Sequence, residues 1–147
     1  VPELSLDIYG EGGERSKLET IIRENNASSY IRLMGQHDLS EVYQNYEAYI
    51  AGSTSEGFGL TLMEAVGGGL PIIGFDVRYG NPTFIRDGEN GYLISLPEED
   101  KDRVEALRKG IVDLFKQDLD KCHEVSYLVA KDFLTSNVQE KWREAVC

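Results

Sequence analysis

The stretch SEGFGLTLMEAVGGGLPIIGF, residues 55–75, decides the fold of this chain. It reads as a glycine-containing loop, a helix over residues 60–66, a glycine stop and a nearly continuous apolar strand over residues 70–75. Strands that are apolar throughout are typical of parallel sheets with both faces covered. The stretch therefore predicts one helix–strand unit of an α/β protein.

The sequence on both sides of this stretch repeats the alternation of strands and helices. Strands are predicted over residues 4–9, 30–34, 49–51 and 92–96. Helices are predicted over residues 14–25, after an N-cap at Ser40, over residues 98–116, and near the C-terminus, where Val138, Trp142 and Val146 recur every four residues. We interpret that last spacing as a buried helix face. The alternation predicts a Rossmann-like, doubly wound parallel sheet, with ligands at the carboxyl ends of its strands.

Composition limits the classes of function. A length of 147 residues predicts a single domain, residues 1–147, and a net charge of −11 argues against nucleic acid as a partner. No apolar run reaches the length of a membrane span. The two cysteines, Cys122 and Cys147, lack metal-ligand spacing, which is typical of a reducing compartment, so we expect a cytoplasmic protein. Because the first residue is Val1 and no signal peptide follows, we expect a piece of a longer protein.

Two glutamates flank a glycine-lined turn. If the helix opens at Leu60, Glu64 lies about one turn inside it and Glu56 lies on the loop before it. Gly57 and Gly59 lack Cβ atoms, so the main chain can approach a ligand closely. The free N–H groups of the first turn form an anion site, near Gly59, Leu60 and Thr61. This arrangement suits a diphosphate, with carboxylates that accept hydrogen bonds from sugar hydroxyls.

The alternative interpretation is structural: the glycines only form a corner and Glu64 is a solvated helix residue. The wider pattern favours a functional interpretation. Residues 56–64, with Gly57-Phe58-Gly59 after the first glutamate, resemble the E-x7-E signature of family-four retaining glycosyltransferases of the GT-B fold. The resemblance continues, in register, into GLPII at residues 69–73, DGENGYLI at residues 87–94 and LDIYGEG at residues 6–12.

The resemblance implies roles for individual residues of a C-terminal, nucleotide-sugar-binding domain. Glu64 would bind the ribose hydroxyls, and Glu56 would act as the catalytic-site carboxylate beside the transferred sugar. The donor would also be bound by five residues whose main chain lines the turn: Gly57, Phe58, Gly59, Leu60 and Thr61. The resemblance implies a UDP-sugar donor, no metal and no separate cofactor, because GT-B enzymes stabilise the diphosphate with basic side chains and helix dipoles.

A narrower resemblance comes from FDVRYGNPTFI, residues 75–85. Many family members have a Gly-Gly turn and a glutamate here, whereas this chain has Tyr79-Gly80 and Thr83, so no role transfers to Thr83. The version is similar to the bacterial branch of accessory-Sec glycosyltransferase A and the poly(glycerol-phosphate) α-glucosyltransferases. That branch implies transfer of glucose or N-acetylglucosamine to a protein Ser/Thr or a teichoic-acid acceptor. Residues 79–82 have an equally simple interpretation as a loop.

The resemblance also implies parts that lie outside this sequence. An N-terminal half would bind the acceptor, a polypeptide or a polyol-phosphate polymer, and a related glycosyltransferase subunit is an expected partner. We expect the chain alone to be inactive and to bind nucleotide weakly. Two alternatives remain: a noncatalytic partner subunit, which would not need both glutamates, and a sugar-nucleotide epimerase of the same architecture. His37 is interpreted either as a solvated loop residue or as a ligand contact.

Overall fold

The computed structural model describes residues 4–146, and the chain divides between Leu39 and Ser40 into two compact units. The first unit contains β1 (Leu6–Tyr9), α1 (Arg15–Glu24) and β2 (Ile31–Gly35). β1 and β2 are parallel, and Arg32 of β2 donates two hydrogen bonds, of 2.6 and 2.8 Å, to the Asp7 carboxylate of β1. Both strands and the helix lie within a few residues of their predicted positions. The prediction of one domain over residues 1–147 stays a prediction.

The second unit contains three parallel strands and most of the helices. Its elements are β3 (Tyr49–Ala51), α2 (Leu60–Gly67), β4 (Ile72–Phe75), α3 (Gly80–Phe84), β5 (Gly91–Ile94), α4 (Asp100–Leu114), α5 (Leu119–Lys131) and α6 (Thr135–Val146). β4 lies in the middle and pairs in parallel with β3 and with β5. Every strand pair within residues 4–146 is parallel, which confirms the predicted α/β class.

The core of the second unit is built on β4. All four residues of β4 are buried, which explains why that strand is apolar throughout. Ile73 of β4 packs with Leu114 of α4 and Cys122 of α5 in one buried cluster. Cys122 is buried in α5, and Cys147 lies outside the described residues. Helices α4 and α5 therefore cover β4.

The C-terminal end of α2 is fixed by glycines and by α5. Gly69 has a φ of 82°, and the Leu70 N–H donates to the Ala65 carbonyl at 2.9 Å, so the predicted left-handed stop is confirmed. His123 of α5 donates from Nδ1 to the Gly69 carbonyl at 2.8 Å. Tyr127 of α5 donates to the Gly68 carbonyl at 3.3 Å. His123 is therefore half-buried against the end of α2.

Three local predictions are corrected. Ser40 does not cap a helix; a short 3-10 helix over Tyr43–Asn45 begins after Val42 instead. The segment after β4 forms α3 rather than a simple loop. The face of α6 that the fourfold spacing predicted to be buried is exposed: Trp142 is 65% exposed and Val146 is 72% exposed.

Of the helices within residues 4–146, none has both the length and the apolar character needed to cross a bilayer.

Candidate functional site

Glu56 lies on the loop between β3 and α2, and this loop rests directly on the start of α3. The Glu56 carbonyl accepts a hydrogen bond from the Tyr79 N–H at 2.7 Å. A Cβ atom placed on Gly80 would lie 2.6 Å from Glu56 Cγ and 2.7 Å from the Phe58 carbonyl oxygen. A side chain at Gly80 would therefore push the loop away. The sequence indicates Gly80 only as part of a turn, but this glycine lets the Glu56 loop lie against α3.

The side chain of Phe58 anchors the loop. Its ring meets Phe84 of α3 edge-on at 5.4 Å and Phe133, just after α5, at 6.1 Å. Phe84 and Phe133 are themselves 4.8 Å apart, so three rings form one cluster. Edge-on aromatic pairs add to the stabilisation that burial gives. The Phe58 ring is held in this way although it is 48% exposed. Phe133 therefore packs in this cluster.

Gly59 turns the loop into α2 and could not be another residue without strain. Its φ is 84°, and a Cβ atom there would lie 2.5 Å from Leu62 Cδ1. The first helical hydrogen bond runs from the Met63 N–H to the Gly59 carbonyl at 3.0 Å. The N–H groups of Leu60 and Thr61 precede that bond, and the N-cap residue has no side chain to accept from them. The helix dipole adds about half a positive charge at this end, so the start of α2 favours a nearby anion.

Glu64 lies one turn inside α2, where the sequence placed it, and its side chain is held by Tyr43. The Tyr43 hydroxyl donates a hydrogen bond to Glu64 Oε2 at 3.0 Å. Glu64 is exposed, whereas Tyr43 is only 6% exposed. Burial, and then the hydrogen bond to the Glu64 carboxylate, raise the pKa of Tyr43 well above its ordinary value. Sequence reasoning missed Tyr43, because 21 residues separate it from its partner.

The structure therefore gives the two glutamates different neighbours. Glu56 lies against Gly59 and Gly80, and Glu64 is bonded to the 3-10 helix at Tyr43–Asn45. Both occupy the predicted positions relative to the start of α2. That the two carboxylates line one shared hollow stays a prediction.

Asn81 and Thr83 support the turn after β4. Asn81 is completely buried, and its Nδ2 donates to the Phe75 carbonyl at 2.7 Å. Its Oδ1 is a buried atom without a hydrogen-bond partner among the described residues. Thr83 Oγ1 donates to the Tyr79 carbonyl at 2.8 Å, one turn back along α3. Thr83, to which no role transferred from the family, therefore has a structural one.

The first unit has a hollow of its own at the end of β1. The hollow has a volume of 230 Å³ and is lined mainly by the β1 strand end, the glycine turn and α1. Its polar side chains include Glu11, Glu14 and Arg15. His37 donates from Nε2 to the Met34 carbonyl at 2.9 Å, and its ring stands edge-on to Tyr9 at 5.8 Å. His37 thus has structural partners, and contact with a ligand is not needed to explain it.

Comparison with known proteins identifies the family. Residues 1–128 match the family model described as glycosyl transferases group 1. The chain belongs to this family. It is 58% identical, over 99% of its length, to the UDP-N-acetylglucosamine--peptide N-acetylglucosaminyltransferase GtfA subunit of Limosilactobacillus reuteri subsp. suis. It is 31% identical, over 99% of its length, to the poly(glycerol-phosphate) alpha-glucosyltransferase of Bacillus subtilis.

A solved structure agrees with this assignment. The pneumococcal O-GlcNAc transferase GtfA, in complex with UDP and GlcNAc, matches 99% of this chain with a TM-score of 0.92 and 50% identity. The matches confirm the glycosyltransferase family, the fold and the branch that the motifs predicted. The chain spans 29% of the Limosilactobacillus protein, 21% of the Bacillus protein and 29% of the pneumococcal chain.

Proposed function

We propose that this chain is the donor-binding part of a retaining glycosyltransferase that uses a UDP-sugar. The observation that carries the proposal is the glycine corner at the start of α2. There a bare N-cap at Gly59 exposes main-chain N–H groups, and a carboxylate lies on each side along the chain. The likeness to a transferase whose structure holds UDP and GlcNAc supports UDP-N-acetylglucosamine as the donor.

The diphosphate would lie on the N–H groups of the first turn of α2. The net charge of −11 leaves no general attraction for phosphate, so binding has to come from local dipoles. Main-chain donors at Gly57, Phe58 and Gly59, followed by Leu60 and Thr61, would provide them. Such donors are already oriented before the reaction, so they stabilise the charge that develops on the leaving diphosphate. We propose that the enzyme needs no metal and no further cofactor for this step.

The two glutamates would bind the sugars of the donor. Glu64 would accept hydrogen bonds from the ribose hydroxyls, since a hydrogen bond to a carboxylate contributes about 1.5–3 kcal/mol net, more than one to a neutral acceptor. Glu56 would hold the hydroxyls of the transferred sugar beside the reacting carbon. Its position depends on Gly80, because that glycine lets the loop lie against α3.

The acceptor and the partner subunit would bind to parts of the full-length protein outside this chain. The Limosilactobacillus relative is a subunit of a peptide N-acetylglucosaminyltransferase. The likeness to it supports a protein Ser/Thr acceptor and a second glycosyltransferase subunit. The more distant Bacillus relative supports a polyol-phosphate polymer as the second acceptor class. Because the donor would be a nucleotide sugar, we propose a cytoplasmic location.

The test uses the full-length protein with a panel of UDP-sugars, a peptide acceptor and a polyol-phosphate polymer, and it measures UDP release. We expect UDP-N-acetylglucosamine with the peptide to give the fastest release. Glu64→Ala should raise the KM for the donor roughly tenfold or more, the equivalent of one lost hydrogen bond to a charged group. The control is Glu124→Ala, which removes an exposed glutamate of α5. An equal effect of the two variants, or an epimerised free nucleotide sugar without transfer, would contradict the proposal.

A further inference from the structure

The carboxylate of Glu64 lies on an exposed side chain, but a hydrogen bond from Tyr43 holds it in place. Glu64 is exposed on α2, and a free glutamate side chain loses rotamer entropy when a ligand fixes it. In the structure the Tyr43 hydroxyl already bonds Oε2 at 3.0 Å. A carboxylate has two oxygens, so this bond leaves acceptor capacity at Oε1. The side chain is therefore oriented before a ligand arrives.

Tyr43 can orient Glu64 because its own ring cannot move easily. The ring begins the 3-10 helix at Tyr43–Asn45 and is 6% exposed. A Cβ atom placed on Gly68 would lie 2.6 Å from Tyr43 Cβ, so only a glycine lets this residue lie against the end of α2. The ring of Tyr49 lies 6.3 Å away at a tilt of 56°. Because the Tyr43 ring is fixed, its hydroxyl can hold the flexible Glu64 carboxylate in one orientation.

The hydroxyl also stays a donor. Burial and the neighbouring carboxylate raise the pKa of Tyr43 well above its ordinary value, so the group keeps its proton throughout the neutral range. A protonated phenol next to a carboxylate can only donate to it. The direction of the bond is therefore fixed, and the charge stays on Glu64.

We propose that Tyr43 is a positioning residue that orients the Glu64 carboxylate toward the ribose hydroxyls of the donor. The inference rests on the proposed function, since it takes Glu64 to be the ribose-binding residue. The simpler account is that a buried tyrosine hydroxyl needs a hydrogen-bond partner and Glu64 provides it. The two accounts differ in what removal of the hydroxyl does to ribose recognition.

The experiment compares UDP with 2′,3′-dideoxyuridine diphosphate as inhibitors of the full-length enzyme, because the two nucleotides differ only in the ribose hydroxyls. The readout is the ratio of their inhibition constants, measured for the wild type, Tyr43→Phe and Glu64→Gln. We expect Tyr43→Phe to reduce the preference for UDP by about threefold or more, in the range of couplings within one hydrogen-bond network. Binding of the dideoxy nucleotide should not change, and the loss in transfer should appear in the donor KM.

The matched control is Tyr127→Phe, which removes another tyrosine hydroxyl from the same end of α2. That hydroxyl bonds the Gly68 carbonyl at 3.3 Å and not a carboxylate, so the preference for UDP should stay unchanged. A thermal melt of each variant records any loss of folding. If Tyr43→Phe weakens both nucleotides equally, its role is structural and the inference is wrong.

The outcomes also separate this inference from the proposed function. If Glu64→Gln abolishes the preference for UDP and Tyr43→Phe leaves it intact, Glu64 binds ribose without help from Tyr43. The proposed function then stands and the inference fails. If Glu64→Gln leaves the preference intact as well, Glu64 is not the ribose-binding residue and both fail.

Discussion

Two helices of the second unit, α2 and α6, both have apolar residues at helical spacing but have different surroundings in the structure. α2 buries Leu62, Ala65 and Val66, and α5 holds its C-terminal end. α6 buries none of its residues, although Trp142 and Val146 repeat at helical spacing. Apolar spacing therefore identifies which residues share a face. It does not tell whether another element covers that face.

The difference between the helices comes from what flanks them. α2 is followed by a left-handed glycine, Gly69, which reverses the chain into the buried strand β4. It is preceded by a loop that Phe58 ties to Phe84. Other parts of the second unit therefore hold both ends of α2, whereas no residue of α6 is buried.

The comparison is tested most strongly at Phe84, in the cluster that holds the loop before α2. Phe84 is completely buried and contacts the rings of Phe58 and Phe133. Phe84→Ala should lower the free energy of unfolding by about 3–5 kcal/mol, because it leaves a cavity and removes ring contacts. Urea denaturation measures the loss. The control is Leu134→Ala, at a residue that is 54% exposed just before α6, and a loss of similar size there would remove the contrast.

A medium effect is expected at Gly59, the N-cap of α2. Gly59→Ala should destabilise by about 2 kcal/mol, since it puts a Cβ atom on a left-handed residue and against Leu62. Gly57→Ala is the matched control, because a Cβ atom at Gly57 meets nothing within 4 Å. That variant should be neutral or slightly stabilising, by the lower entropy of its unfolded chain. Thermal unfolding of both variants gives the answer. Equal losses of stability in the two variants would mean that the positive φ at Gly59 adds no strain of its own.

How much the sequence predicted depended on whether a signal was local. The strand β3, the helix α2 and the glycine stop after it were predicted within a residue or two, because apolar runs and glycines are local signals. Glu56 and Glu64 were placed correctly around the start of α2 for the same reason. The helix predicted after Ser40 is a 3-10 helix at Tyr43–Asn45, and its start and type were not predicted because a run of three residues gives no period.

The missed residues share one property: their partners are distant in the sequence. Tyr43 bonds a carboxylate 21 residues later, and Ser126 bonds the Leu70 carbonyl 56 residues earlier. Gly80 matters because the loop of Glu56 lies on it, which is a fact of packing and not of pattern. Such contacts become visible only when the fold brings the segments together.

The smallest effect is expected at Trp142, where the comparison is sharpest. Trp142 is 65% exposed on α6, so Trp142→Ala should change the free energy of unfolding of the chain by no more than about 0.5 kcal/mol. Leu62→Ala, at a residue of α2 that is 1% exposed, is the counterpart and should cost about 2–5 kcal/mol. Urea denaturation of the two variants at one protein concentration measures both. A loss of stability above about 1.5 kcal/mol for Trp142→Ala exceeds what substitutions at exposed positions give. It would mean that this face of α6 is covered in solution. The fourfold apolar spacing would then have predicted burial correctly.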